Sequence, residues 1–269
     1  MEEELIRDAV TLVEKAQLEG IILRILGALG IYLSAREANC VEFMKRLKRL
    51  GTDTMFLTDI DLVGYKSQKK NIVEFFEKLG FVADRMVLAY FGDKRLVFYH
   101  PTKRYRVDVF LSKLEFSHTI DFGEKPGKGR LELNYPTLTL ADLVLEKLQI
   151  HEINEKDLKD LITLFFCHEL SETGDDIKTK IDCKYIATIL SNDWGFWYDA
   201  MENLRKTISL VNTLVANNIL SEDQANLVKS KIEKLIEIID KTPKTEKWLK
   251  RSKIGTKKPW YNKVEELIR

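Results

Sequence analysis

The sequence predicts an α+β protein: a mixed β-sheet with flanking helices first, then a C-terminal helical bundle. Three observations carry this reading. Apolar residues over 2–18 recur at helical spacing, the pattern between residues 55 and 111 is largely that of short strands, and helical spacing returns from Thr139 onward. A chain of 269 residues, 45% hydrophobic and 32% charged, can build one large domain or two modest ones with a substantial core. The expected divisions are 1–135 for a sheet-bearing catalytic domain, 136–240 for a helical domain, and 241–269 for a basic segment containing aromatic residues.

The elements follow in order. Leu5, Ile6, Ala9, Val10, Leu12, Val13 and Ala16 define a helix over 2–18, which Gly20 ends. The apolar run Leu23-Arg24-Ile25-Leu26-Gly27-Ala28-Leu29-Gly30-Ile31-Tyr32-Leu33 leads into a helix through about residue 49, closed by Gly51. A strand is expected over 55–63, then a helix from an N-cap at Ser67 to Leu79, with Gly80 as its stop. Three β-patterned runs at 86–91, 95–100 and 105–111 are separated by Gly92-Asp93-Lys94 and Pro101-Thr102-Lys103, which makes a meander. The stretch Gly123–Gly129 is a flexible loop, either a lid or a connector. Thr139 with Asp142 resembles a capping box, and Ser221 with Gln224 is a stronger one. The second opens a long helix to about Asp240, paired with a helix over 199–219.

Chemistry is concentrated in Leu57-Thr58-Asp59-Ile60-Asp61-Leu62-Val63. Side chains alternate along a strand, so Asp59 and Asp61 share one face, about 7 Å apart at Cα. Ile60 and Leu62 point the other way, into a core. Like charges side by side are costly unless a cation lies between them, and hard carboxylate oxygens suit Mg²⁺. Asp108 lies in the equally apolar Arg106-Val107-Asp108-Val109-Phe110-Leu111, and three acids on neighbouring strands can hold metal ions for phosphoryl-group chemistry. The competing reading is an edge strand with polar residues facing water. Gly27 and Gly30 let backbone approach a phosphate, or simply allow helices to pack closely.

A Gly-rich apolar turn, then Asp-Ile-Asp-Leu, then a later strand with one Asp resembles the DNA polymerase β-like nucleotidyltransferase superfamily. The likeness is to its small bacterial and archaeal members, toxin-type enzymes among them. It extends to Tyr135–Gln149, which looks like the helix after the catalytic sheet, and to Asn154–Leu161, which looks like the next helix. It covers about residues 20 to 200. The resemblance implies a nucleotidyltransferase-type sheet and a Mg²⁺-dependent transfer of NMP from a nucleoside triphosphate, ATP or another, to an acceptor hydroxyl, with release of pyrophosphate. Asp59, Asp61 and Asp108 would hold two Mg²⁺ ions, with Asp108 a candidate general base, and backbone at Gly27 and Ala28 would contact phosphates. Lys147 would neutralise phosphate charge, and Asp157 or Asp160 would complete the nucleotide site. Ordinary helix-surface charge, including a Lys156–Asp160 pair at i, i+4 spacing, is the plainer reading of that cluster. One departure stands out: the superfamily usually has Gly-Gly or Gly-Ser where this chain has Gly27-Ala28, so a phosphate-binding hydroxyl is missing.

With 43 basic and 42 acidic residues the net charge is +1, so no global field attracts nucleic acid. The exception is Lys241–Lys263, with nine basic residues against Glu246, interleaved with Trp248, Trp260 and Tyr261. Such a segment contacts RNA or DNA, or else is a solvated tail whose tryptophans dock on the body. Cys40, Cys167 and Cys183 are odd in number and widely spaced, which points to no disulfide framework, no zinc ribbon and a reduced, cytoplasmic setting. No signal-peptide form and no membrane-spanning run is read. His100, His118, His151 and His168 lack ligand spacing and are read as structural, and Asp193–Tyr198 is an aromatic cluster packed in the helical domain. Expected partners are the nucleoside triphosphate, an RNA (tRNA) or protein acceptor, and an antitoxin-type protein. The alternative function is a non-catalytic nucleotide- or RNA-binding module, or a toxin–antitoxin component, on the same fold.

Overall fold

In the computed structural model, which describes residues 2–51, 57–102 and 104–263, the chain begins with α1 (Glu2–Leu18), β1 (Leu23–Ile25), α2 (Gly27–Glu37) and α3 (Val41–Arg46). Next come β2 (Asp59–Gly64), α4 (Lys69–Lys78), β3 (Val82–Ala83), α5 (Arg85–Phe91), β4 (Arg95–Tyr99), β5 (Arg106–Leu111), β6 (Lys113–Glu115) and β7 (Thr119–Asp121). The remainder is α6 (Leu140–Leu148), α7 (Glu155–Cys167), β8 (Glu169–Ser171), β9 (Lys180–Asp182), α8 (Cys183–Asn192), α9 (Trp194–Ala216), α10 (Glu222–Lys241) and α11 (Glu246–Ser252). The protein is therefore mixed α+β, with a helical C-terminal region. No described helix is long and apolar enough to cross a membrane.

The chain divides into two compact units that are not consecutive in sequence. The first comprises Met1–Ser34, Thr54–Glu115 and Ile120–Leu138, and the second Ala35–Asp53, Phe116–Thr119 and Thr139–Arg269.

The first unit is organised by a five-stranded sheet in the order β1-β2-β5-β4-β3. β2 and β5 run parallel, and the other neighbours are antiparallel, so the sheet is mixed. One face presents Ile60, Leu62, Leu96, Phe98, Val107 and Val109, all buried. Phe76 of α4 stacks on Phe98 at 4.3 Å, which seats that helix on the apolar face.

The second unit is a helical assembly. All nine residues of α6 are buried, so it is a core helix rather than an amphipathic surface one. Ser221 and Gln224 form the expected capping box at α10. Cys40 and Cys167 form a disulfide, with Phe43 stacked on Phe166 beside it at 3.7 Å. The sequence reading of unpaired thiols is corrected here: the partners are 127 residues apart, and the packing of α3 on α7 brings them together. Cys183 remains a free thiol, and burial pushes it up to about 12.

Several local expectations are also corrected. The run 86–91 is helix, not strand, because Asp84 caps it by accepting from the Met86 and Val87 N–H groups, both at 3.0 Å. The β4 edge it would have occupied is taken by β3. Ser67 lies within a 3₁₀ turn, and Gln68 precedes α4 without capping it. The helix expected to reach residue 49 breaks at Asn39, which adopts a left-handed φ of 55°, and resumes as α3. The helix expected from 199 starts at Trp194, because Asp193 accepts from Phe196 N–H at 3.1 Å. Residues 55 and 56 of the expected strand and Lys103 of the expected turn lie outside the described residues.

Candidate active site

Two charged clusters contain the residues singled out by sequence, one in each unit. In the first unit, the parallel register sets Asp61 opposite Asp108 and Asp59 opposite Arg106. Alternation then puts all three acids on the sheet face opposite the apolar core. Asp108 is buried, while Asp59 and Asp61 are half-buried.

The Gly-rich turn meets this face. The Leu26 N–H donates to the Asp61 carbonyl at 3.1 Å, and Gly27 opens α2 with φ +69°. A Cβ at Gly27 would stand 2.7 Å from Asp61 Oδ2, so glycine is required both for the backbone conformation and for the close approach. The start of an eleven-residue helix thus abuts a carboxylate of the acidic face. Ala28 is the second residue of that helix and supplies no hydroxyl.

Two arginines complete the arrangement. Arg95 grips Asp108 with both ends of its guanidinium, Nε to Oδ1 at 3.2 Å and Nη2 to Oδ2 at 2.9 Å. Arg106 Nη2 bridges Asp108 at 3.1 Å and Asp59 at 3.4 Å. Sequence reasoning missed both. The signal for Arg106 was present, because it precedes Asp108 by two residues and so shares its face; Arg95 enters only through the pairing of β4 with β5.

The donor set fits a hard divalent cation in chemistry, since three carboxylates share one face. It is not a preassembled cage: among the described residues no three His, Cys, Asp or Glu side chains are grouped to hold a metal ion. The cationic partners of Asp59 and Asp108 in this arrangement are guanidinium groups.

In the second unit, Lys147 of α6 lies among three carboxylates: Asp157 at 3.0 Å, Asp160 at 3.2 Å and Glu146 at 3.3 Å. Arg49 forms a fork to Asp160, Nε to Oδ1 at 2.7 Å and Nη2 to Oδ2 at 3.0 Å. Burial by itself lowers the Lys147 ammonium, but Asp160, Glu146 and Asp157 outweigh it and hold Lys147 above its ordinary value. Burial raises Asp157, but Lys147 overcomes it and holds the carboxyl below its ordinary range. Asp160 therefore pairs with Arg49 and Lys147 rather than with Lys156, whose side chain is exposed. The helical phase of α6 and α7 brings Lys147, Asp157 and Asp160, which the resemblance grouped, into one buried cluster in place of ordinary helix-surface charge; Arg49 comes from a stretch that carries no readable motif.

Three of the four histidines have structural partners. His118 and His151 both contact Asp199 in the second unit, at 2.7 and 3.0 Å, and His100 lies beside Arg104. His168 is buried. No protein-family model matches the sequence, and no curated protein matches it either.

Proposed function

We propose that this chain is a metal-dependent nucleotidyltransferase, moving an NMP from a nucleoside triphosphate to an acceptor hydroxyl with loss of pyrophosphate. The observation that carries the reading is the convergence in the first unit of Gly27 at the start of α2, Asp61, and Asp108 directly across the parallel strand pair. Asp59, Asp61 and Asp108 would hold Mg²⁺, which when bound neutralises phosphate charge and polarises the reacting oxygens. The chain's own groups do the positioning. Gly27 allows main chain to come close to a phosphate, and a helix start favours the negative charge. Arg95 and Arg106 keep the clustered acids neutralised before substrate arrives and are themselves phosphate-competent donors. The resemblance also groups Lys147 with Asp157 and Asp160, which form an ion-pair cluster of their own in the second unit.

A second reading, a nucleotide- or RNA-binding module without turnover, is favoured by Ala28 and by the arginine fork on Asp108. An antitoxin-type partner remains part of the proposal, whereas the cytoplasmic setting, read from cysteines expected to be reduced, loses that ground with the Cys40–Cys167 bond. The test is incubation of wild type and Asp61→Asn with each α-³²P-labelled nucleoside triphosphate, Mg²⁺ and total cellular RNA. Label transferred to RNA or protein by wild type, and lost by at least a hundredfold in the variant, is the expected result. Equal labelling by the variant overturns the assignment. Mg²⁺–nucleotide binding without labelling moves the conclusion to the binding module.

A further inference from the structure

A cleft in the second unit is lined by none of the residues assigned to the nucleotide or the metal. It has a volume of about 760 Å³ and is bounded by the start of α9, by α11 and by residues 259–262. That size is within the range of sites that enclose a nucleotide-sized ligand. Its walls combine aromatic rings, Trp194, Trp260 and Tyr261, with the cations Lys247, Lys250 and Arg251.

The cleft is built rather than incidental. Trp260 Nε1 donates to Asp199 at 3.0 Å, and the Trp260 ring stands 6.4 Å from that of Trp194 at 77°. A Cβ at Gly195 would lie 2.4 Å from the Trp260 carbonyl oxygen, so the segment seats only against glycine. Arg251 lies 4.9 Å over the Trp194 ring and donates to the carbonyls of Gly255, Lys258 and Pro259, which fixes the return of the chain. Trp260 and Tyr261 line the cleft half-buried, with one face of the Tyr261 ring stacked on His151 at 3.5 Å.

The charge is one-sided. The two acids at the cleft are engaged: Asp193 caps α9 and Glu246 pairs with Lys250 at 3.5 Å. Lys247 makes no ion pair among the described residues, nor do Lys253, Lys257 and Lys258, all exposed along the same segment. Cations therefore continue beyond the cleft, as a ligand with several phosphates needs and a single nucleotide does not.

We infer that this cleft binds a single-stranded polynucleotide, with rings of Trp260 and Tyr261 stacking on bases and Lys247, Lys250 and the lysines beyond tracking the phosphates. The inference does not depend on the nucleotidyltransferase reading, because it concerns binding without turnover.

The test is fluorescence anisotropy of a labelled twelve-nucleotide oligo(rU) and its oligo(dT) counterpart with the full chain, across a salt series and without triphosphate or Mg²⁺. Wild type is expected to bind with strong salt dependence. The double variant Lys247→Ala/Lys250→Ala alters two exposed side chains, so it should keep the wild-type unfolding midpoint. It should weaken binding by about tenfold or more and reduce the salt slope by roughly two. Lys70→Ala/Lys78→Ala, which removes two exposed lysines from α4, should bind like wild type. The inference is overturned by no binding at low salt, by equal losses in both double variants, or by a free mononucleotide competing as well as the oligonucleotide. Failure of labelling with Asp61 intact would count against the catalytic reading alone.

Discussion

At the scale of single residues, His168 shows how burial sets a pH response. Burial, helped by the nearby Lys231 ammonium, pulls its imidazole down to about 4. Its Nε2 is buried with no hydrogen-bond partner among the described residues, so a proton there has nothing to stabilise it. In the unfolded chain the group titrates near its ordinary 6.5. Between those values the unfolded chain carries a proton that the folded chain does not. Stability is therefore full above about pH 6.5 and falls as pH drops toward 4. Wild type should lose about 2 kcal/mol more than His168→Gln between pH 7 and 4.5 in urea unfolding. Identical pH dependence of the two proteins would show that His168 is not responsible. Asp157 works in the same direction at lower pH: its depressed carboxyl supports the fold above its ordinary range and ceases to do so once acid protonates it. Lys147 has the opposite sense. Its raised ammonium contributes fully below its ordinary value, and that contribution is lost only in strong alkali.

At the scale of elements, the clearest case is α5, whose sequence Arg85–Phe91 reads as a strand because Met86, Val87, Leu88, Tyr90 and Phe91 are all strand-tolerant. What decides the outcome is one residue upstream, where the Asp84 carboxylate caps the helix and also accepts from Tyr99 Oη at 3.0 Å. None of the seven residues is buried, so packing does little to hold the helix. Asp84→Ala should cost about 1 kcal/mol and Asp84→Asn much less, as measured by urea unfolding. An alanine variant as stable as wild type would mean that the cap does not set the structure there. The contrast with β2 and β5 explains what was legible. Their alternation of buried apolar and acidic residues is a local property, so the shared face of Asp59, Asp61 and Asp108 follows from spacing. Helices over 2–18 and 222–241 are legible for the same reason: a continuous apolar stripe with a cap or a glycine at an end. Arg95, Arg49 and the Cys40–Cys167 pair were not legible, because each depends on which distant segment packs alongside.

At the scale of the whole molecule, the disulfide has the greatest reach, closing a loop across 127 positions of sequence. A cross-link over so long a loop removes much of the unfolded chain's freedom, about 5 kcal/mol in the chain-entropy account. Cys40→Ser under oxidising conditions should therefore lower the thermal midpoint by about 10 °C, and reductant should do the same to wild type. A midpoint insensitive to both would show that the pair does not form in solution. The same bond tethers the α3 stretch that carries Arg49, so reduction is also expected to loosen the fork on Asp160.

The two units are threaded through one another along the chain, as six alternating stretches with five crossings between them. This has a consequence for inheritance. No single genetic crossover can exchange the helical unit intact, because its short outlying stretches travel with the sheet-bearing part. A recombinant joined at residue 139 would receive Cys167, Asp160 and Asp199 from one parent. It would receive their partners Cys40, Arg49 and His118 from the other. The pairs that hold the helical unit together would then have to match across lineages, so this architecture is expected to diverge as a whole rather than by trading parts.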